Sequence, residues 1–390
     1  MIRLILLLDF TESYAHRILA GIQTYVREHE PWVVCRMPPS FKEEHGIEGV
    51  VKWAKKWRAD AIIGIFSPEE DVSLFTNEGI VTVAQDYIQR FQTIPNITSN
   101  YRKAGEEIAS YLIEKQFKHF AFFGYKNVVW SSERREGFYN RIVDAGFSDH
   151  FHEYHNIEIE NLWFYDYEPL ISWLQGLPEK TALMACDDNQ AIKITEACRT
   201  IKLKIPEQLT VIGVDNDTTL CNLSDPPLTS YNLNVKRGGY KTAELIDRMV
   251  RHHTFKAEDI YIDTLGIVER ASANIFYTND AHVLQAIKFI NNNIYSKLSV
   301  EDVLQKIPIS RRTFEMKFKA STSMSVYQYI LTYRIKLLAN LLVNTQEHIS
   351  TLAYKVGFQE LKNISRQFKK IMGHTPSDYR KINQNKEKIS

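Results

Sequence analysis

The sequence predicts an α/β domain of two lobes with parallel sheets, followed by an all-α domain that repeats a helix-turn-helix plan twice. Three observations predict it. Strand-like and helix-like segments alternate through residues 1–268, the alternation stops in a polar stretch, and everything from residue 281 onward is helical by periodicity. A chain of 390 residues also exceeds what one ordinary core supports, so several domains are expected.

The strand candidates are Leu4–Asp9, Trp32–Met37, Ala61–Phe66, Ile80–Ala84, His119–Gly124, Ala182–Cys186 and Thr210–Asp215. Most are unbroken apolar runs, the pattern of strands covered on both faces. Between them lie amphipathic stretches at Tyr14–Glu28, Ile47–Trp57, Tyr101–Lys115, Arg134–Ala145 and Asn189–Leu203. About 270 residues of this pattern suit two doubly wound lobes. The opening run closes at Asp9 after about six apolar residues, which reads as a buried first strand rather than a leader, and no stretch reaches the eighteen apolar residues of a membrane span. Residues 269–280, rich in Ala, Ser, Asn and Thr, are expected to be a linker.

Charge divides along the same line. Residues 281–390 hold 18 Lys and Arg against 7 Asp and Glu, a net of +11, while residues 1–280 carry a net of −10. A compact basic domain attracts a polyanion, and nucleic acid is the usual one. The four cysteines (Cys35, Cys186, Cys198, Cys221) are irregularly spaced without a C-x-x-C pair, which fits reduced thiols in a cytoplasm rather than disulfides or zinc.

The basic part shows one plan twice. Ser299–Ser310 leads into Arg311–Lys319, and Ile349–Phe358 leads into Gln359–Lys370, each a short helix, a tight turn and a second helix. Ser299 with Asp302 forms a capping box, and Gly357 supplies the positive φ of a sharp turn. Phe314, Phe318, Ile364 and Phe368 recur every four residues and face a core. That leaves Arg312, Glu315 and Met316, then Lys362, Asn363 and Arg366, on the outer faces, with Arg311 heading the first of these helices. Arg and Lys donate to guanine O6 and N7, Asn pairs with adenine, and Met touches a thymine methyl. An amphipathic helix over Ser325–Val343, about 28 Å long, separates the two units. At that separation, two helices enter successive major grooves on one face of B-DNA, so one chain would read a bipartite operator.

The run Thr351-Leu-Ala-Tyr-Lys-Val-Gly-Phe358, with Ile364–Met372 and the Gly373…Thr375-Pro376…Tyr379-Arg380 ending, resembles the AraC/XylS family of bacterial regulators over about 281–382. That resemblance assigns base contacts to Arg312, Glu315, Met316, Leu361, Lys362, Asn363 and Arg366. Two positions depart from it: Pro308 stands where a Gly is common, and Leu361 where a polar base reader is common.

In place of the usual β-barrel sensor, residues 1–268 are similar to the type I periplasmic-binding-protein fold that LacI/GalR regulators use. Leu209-Thr-Val-Ile-Gly-Val-Asp-Asn216, Met184-Ala-Cys-Asp-Asp-Asn-Gln-Ala191 and Glu133-Arg-Arg-Glu-Gly-Phe138 carry that resemblance. It implies that Asp215, Asp187 and Arg134 contact the ligand, with Asp187 standing where Asn is commoner. Sensor first and reader last resembles sugar-operon regulators, which implies a sugar effector, xylose or a related pentose leading.

Chemistry points the same way. A neutral polyol needs carboxylates, amides and an Arg at its hydroxyls and an aromatic ring against its C–H face. Asp9, Asp187, Asp215, Asn216 and Arg134 supply the first, and Phe10, Tyr14 or Trp130 the second. Each has a plain structural alternative: a strand-end Asp also caps helices, Arg134 also suits a surface ion pair, and the aromatics also suit interlobe core. The expected partners are double-stranded DNA, a sugar, a second copy of the chain and, for an activator, RNA polymerase, without cofactor or membrane. A different effector (another sugar, a nucleoside or an amino acid) and a repressor role stay open at this point. The Asp149-His-Phe-His-Glu-Tyr-His155 stretch reads as surface histidines rather than a metal site. Asp187-Asp188 has no nucleophile or phosphate loop beside it, so an enzyme is not expected. The absence of a leader and the basic tail oppose a transport protein.

Overall fold

A computed structural model describes residues 1–154, 167–252, 257–275, 278, 280–345 and 347–381, with the side chains of 340, 343 and 344 left aside. The first lobe begins with β1 (Arg3–Leu7), α1 (Ser13–Glu28), β2 (Val33–Arg36), α2 (Pro39–Trp57), β3 (Ala61–Gly64), α3 (Ser73–Asn77), β4 (Val81–Gln85) and β5 (Asn96–Ser99). The second lobe holds α4 (Tyr101–Glu114), β6 (His119–Phe123), α5 (Val129–Asp144), β7 (Phe151–Tyr154), α6 (Tyr167–Gly176), β8 (Thr181–Ala185), α7 (Asp188–Thr200), β9 (Leu209–Asp215), α8 (Thr218–Leu223) and β10 (Thr229–Leu233). The chain then returns to the first lobe through α9 (Val235–His252) and β11 (Ile260–Ile262), and crosses back for β12 (Thr264–Val268).

The two six-stranded sheets run β2-β1-β3-β4-β5-β11 and β7-β6-β8-β9-β10-β12. Every pair is parallel except β10 with β12. The expected two-lobed parallel architecture is therefore present, and its logic is visible in the strands: β3 and β8 are buried at every position because helices cover both faces. Each lobe is tied by a helix pair that crosses on glycine. A Cβ on Gly105 of α4 would lie 2.0 Å from the Arg134 carbonyl oxygen of α5, and one on Gly137 would lie 1.9 Å from that of Arg102. Gly21 of α1 and Gly239 of α9 meet in the same way, at 1.9 Å and 2.1 Å from opposing carbonyls.

Several boundaries differ from expectation. Helix α5 starts five residues before Arg134, and α2 starts at Pro39, broken at Gly46 (φ 67°) so that its second half is the expected Ile47–Trp57 stretch. Strands β5, β7, β10, β11 and β12 lacked an apolar run in the sequence; β5 and β10 instead bury Asn96, Thr98, Ser99, Thr229, Ser230 and Asn232.

The helical part comprises α10 (Ala281–Asn293), α11 (Val300–Leu304), α12 (Arg311–Thr322), α13 (Val326–Asn344), α14 (Ile349–Lys355) and α15 (Ile364–Met372). It has two small cores that share α13. Val283, Ile287, Phe314 and Phe318 pack with Ile330, whereas Leu352, Ile364 and Phe368 pack with Leu338 and Leu342. The Ser299–Asp302 capping box forms on α11, and a second one, Ser325 with Gln328, starts α13. Among the described residues, no helix is long and apolar enough to cross a membrane.

Candidate functional site

Parallel strands end at a common edge, and ligands of open α/β sheets bind beyond those carboxyl ends. Here the ends of both sheets face each other across a cavity of about 500 Å³ between the lobes. The first lobe contributes Asp9 after β1, Tyr14 from α1, and Asp86 and Tyr87 after β4. The second contributes Trp130 and Arg134 from α5, Asp187 after β8, and Asp215 at the end of β9.

Arg134 is the centre of the wall. Its guanidinium is buried, donates to the Cys186 carbonyl at 2.5 Å and to Asp215 Oδ1 at 3.0 Å, and lies between the rings of Tyr101 (5.2 Å) and Trp130 (4.9 Å). Burial works against its charge, but Asp215 and the other groups around it outweigh that and hold its pKa above the ordinary value. Asp215 and Asn216 both take positive φ, 100° and 52°, at the strand end. Non-glycine residues hold such angles at a cost of about 1–3 kcal/mol each, and such strain concentrates at functional sites.

Asp187 lines the cavity and caps α7, accepting from the Gln190 amide at 2.7 Å. Burial pushes its pKa up to about 7, against the pull of that bond, and the nearby Asp215 adds to the rise. Its neighbour Asp188 turns the other way, into the protein, where it accepts from Ser230 Oγ (2.6 Å) and the Asp217 amide (2.7 Å). Asp86, buried beneath Tyr101, accepts from the Thr98 hydroxyl at 2.6 Å and the Tyr101 hydroxyl at 2.8 Å.

Six of the eight residues expected at the ligand, namely Asp9, Tyr14, Trp130, Arg134, Asp187 and Asp215, stand in this one wall. The other two stand outside it. Phe10 turns to His16 and to the Arg36 guanidinium (5.5 Å), because Asp9 accepts from the Thr11 amide and hydroxyl and bends the chain there. Asn216 is held behind the strand end, its amide donating to Ser230 Oγ and its Oδ1 accepting from Arg270 at 2.8 Å. Reading the sequence missed Tyr87, Tyr101, Tyr125 and Gln190. The strand-end rule could have found Tyr87 and Tyr125, which follow β4 and β6 within two residues; Tyr101 stands as close to β5, but that strand has no apolar run to announce it, and Gln190 lies inside α7.

The lobes touch at the rim of the cavity. Arg90 grips Glu133 of α5 with two bonds of 2.9 and 2.8 Å, and Asn189 donates to Glu12 at 2.8 Å. The Val129 amide donates to the Tyr87 carbonyl at 2.7 Å, and Arg17 of α1 donates to the carbonyls of Asp215 and Leu233.

In the helical part, α12 exposes Arg311, Arg312, Glu315 and Met316 while burying Phe314 and Phe318. Arg311 pairs with Glu315 at 2.9 Å. The second unit differs from expectation. Helix α15 starts at Ile364, because Asn363 adopts a left-handed φ of 72°, which Asn tolerates better than most residues. Leu361, Lys362 and Asn363 therefore sit in the turn that enters the helix, all exposed, and Arg366 alone of that set lies on it. The histidine stretch lies at the edge of the second lobe, with the His119 ring 4.8 Å from that of His150. Among the described residues no cluster suited to a metal occurs, and His155 falls outside them.

Comparison with known proteins accounts for both halves. Residues 109–273 match a periplasmic binding protein-like domain and residues 303–382 a helix-turn-helix domain. The chain is a two-part transcription regulator. It is 26% identical to the xylose operon regulatory protein of Escherichia coli (strain K12), over 98% of this chain and 97% of the relative. The corresponding protein of Haemophilus influenzae (strain ATCC 51907 / DSM 11121 / KW20 / Rd) is also 26% identical, covering 97% and 98%. A solved structure described as a xylose-binding transcription activator shares the fold, with a TM-score of 0.58 and 24% identity over 98% of both chains. These findings bear out the AraC/XylS resemblance and the two-lobed sensor fold. The relatives are regulators, not enzymes.

Proposed function

We propose that the regulator binds a sugar, xylose or a related pentose, in the interlobe cavity, and that occupancy changes how its helical part reads DNA. Residues 1–268 form the sensor, 269–280 the connection and 281–390 the reader. The observation that carries this reading is the meeting of three carboxylates (Asp9, Asp187, Asp215) and a buried Arg134 with Tyr14 and Trp130 in one wall. Such a set matches hydroxyls on the edge of a sugar and C–H groups on its face. The full-length likeness to xylose operon regulatory proteins supports the same ligand class.

On the DNA side, Arg311, Arg312, Glu315 and Met316 of the first unit and Leu361, Lys362, Asn363 and Arg366 of the second face two half-sites of one operator. Two copies of the chain act together in the cytoplasm, and sugar binding activates transcription with RNA polymerase as partner. A ligand shifts the lobes only by its differential affinity for their arrangements, so contacts from both lobes are what give it leverage. Isothermal titration calorimetry of the full chain against a panel of pentoses, hexoses, nucleosides and amino acids tests the reading. Heat is expected with a pentose and is lost in Asp215→Asn; a panel without any sugar signal would sink it.

A further inference from the structure

The cavity is larger than one pentose needs, and its wall is built twice. A pentose has ten non-hydrogen atoms, which fill at most about 300 Å³ even at the ~30 Å³ that a water molecule takes in the liquid. The cavity holds about 500 Å³. The excess does not come from parted lobes, because Arg90–Glu133, Asn189–Glu12 and the Val129–Tyr87 backbone bond already join the two rims.

Arg134 divides the wall. On its Tyr101 side lie Tyr14, Asp86 and Asp215, whose charges act on one another. On its Trp130 side lie Tyr125, with ring centroids 5.8 Å apart from Trp130, and Tyr87 at 6.4 Å. Asp187 and Glu12 act on both of those tyrosines. Each side thus combines aromatic faces with carboxylates, the requirement for one sugar ring. Arg134 Nε and Gln190 Oε1 are buried without a partner behind this wall.

We infer that the cavity is a two-ring site, with an inner subsite around Tyr14, Tyr101 and Asp215 and an outer one around Tyr87, Tyr125, Trp130 and Gln190, and that its ligand is a disaccharide of pentose units. This rests on the sugar reading above and adds the outer ring to it. A nucleoside also has two rings, but its base offers the outer carboxylates, Asp187 and Glu12, only the few N–H groups of its edge, where a second sugar ring offers several hydroxyls.

Calorimetry of the full chain with xylose, xylobiose and adenosine decides the matter. Xylobiose is expected to bind at least about tenfold more tightly than xylose. In Tyr87→Ala the advantage of xylobiose over xylose is expected to collapse toward equal affinity; in Asp215→Asn both are lost. Ligand-induced shifts in melting temperature, read on the same variants, separate lost binding from lost folding. Equal affinity for the two sugars, or tightest binding of adenosine, overturns the two-ring site and leaves the cavity a single-ring or nucleoside site. Absence of binding by either sugar overturns the sugar reading itself and this inference with it.

Discussion

Asp187 does two jobs with one carboxylate, and its protonation links them. One oxygen caps α7 while the group as a whole lines the cavity, and burial has raised its pKa from 3.8 to about 7. Near neutrality, then, the empty regulator carries this acid partly protonated. Hydroxyls of a sugar donate to the charged form, so binding favours the carboxylate and expels the proton. Affinity is expected to be full above pH 7 and to fall as the pH drops through 7, by up to about tenfold per unit, until the lower pKa of the bound state is reached. The measurement is calorimetry in two buffers of different ionisation enthalpy at pH 7, which reads the proton directly. A flat affinity from pH 6 to 8 in the native regulator, or an unchanged slope in Asp187→Asn, contradicts it. Without ligand the same group acts on folding with the opposite trend: between 3.8 and about 7 the folded state holds a proton that the unfolded chain has lost, so its contribution to stability falls as pH rises.

At the scale of elements, one contact sets how the two reading units sit on α13. Arg334 of that helix is buried and donates to the carbonyls of Ile294 (3.1 Å) and Ser296 (2.7 Å), just beyond α10 in the first unit. Gly357, after α14 in the second unit, closes the same point: its φ is 88°, and an added Cβ would lie 2.4 Å from the Ile294 oxygen and 2.9 Å from the guanidinium. Gly357→Ala is therefore expected to cost about 2–4 kcal/mol, from the left-handed backbone and the clash together. Because the strain falls between the units, affinity for the two-half-site operator should drop toward that for a single half-site. Footprinting of the variant on both sites checks this, and full protection of both half-sites at native affinity would refute it. The turn at Gly357 was legible in the sequence because only glycine suits it. The late start of α15 was not, since Asn363 reads as a helix residue until its left-handed φ is seen. Strands divide on the same principle. β3 and β8 announce themselves as apolar runs, but β5 and β10 satisfy buried polar side chains with distant partners: Asn96 with Asp259, Ser230 with Asp188, Thr229 with Arg270. No local pattern carries a partnership across 41, 42 or 163 residues. Helix α9 was not among the expected helices; a Gly238-Gly239 pair lowers helix propensity, and its use shows only in the fold, where Gly239 lets α1 approach.

Across the whole molecule, the cavity and the reader are connected by covalent and hydrogen-bonded steps that can be followed one at a time. Asp215 lines the cavity, and Asn216 follows it on a strained backbone that leaves its side chain behind the sheet. Arg270 donates to Asn216 Oδ1 at 2.8 Å and to the Leu228 carbonyl at 2.9 Å, just where the chain leaves β12 for the reader. Four residues later Asn274 donates to the Tyr333 hydroxyl of α13, and it also accepts from Asn291 of α10. Glu207 of the second lobe pairs with Lys288 of α10 at 3.6 Å, a minor tie in water. A sugar that pulled on Asp215 would thus shift the anchor of Arg270, and with it the grip of Asn274 on the middle of the helix that carries both reading units. Allosteric couplings are typically about 1–3 kcal/mol, and a single part-buried guanidinium bond is of a size to transmit much of that. Arg270→Met keeps the side chain's bulk and removes the bond. Its sugar affinity is expected to stay within about twofold of native, its DNA affinity without sugar to stay similar, and the sugar-induced change in DNA affinity to shrink several-fold. Titrations of labelled operator with and without saturating sugar read all three quantities, and an undiminished sugar response in this variant would show that the signal travels by another route, such as the lobe–α10 face.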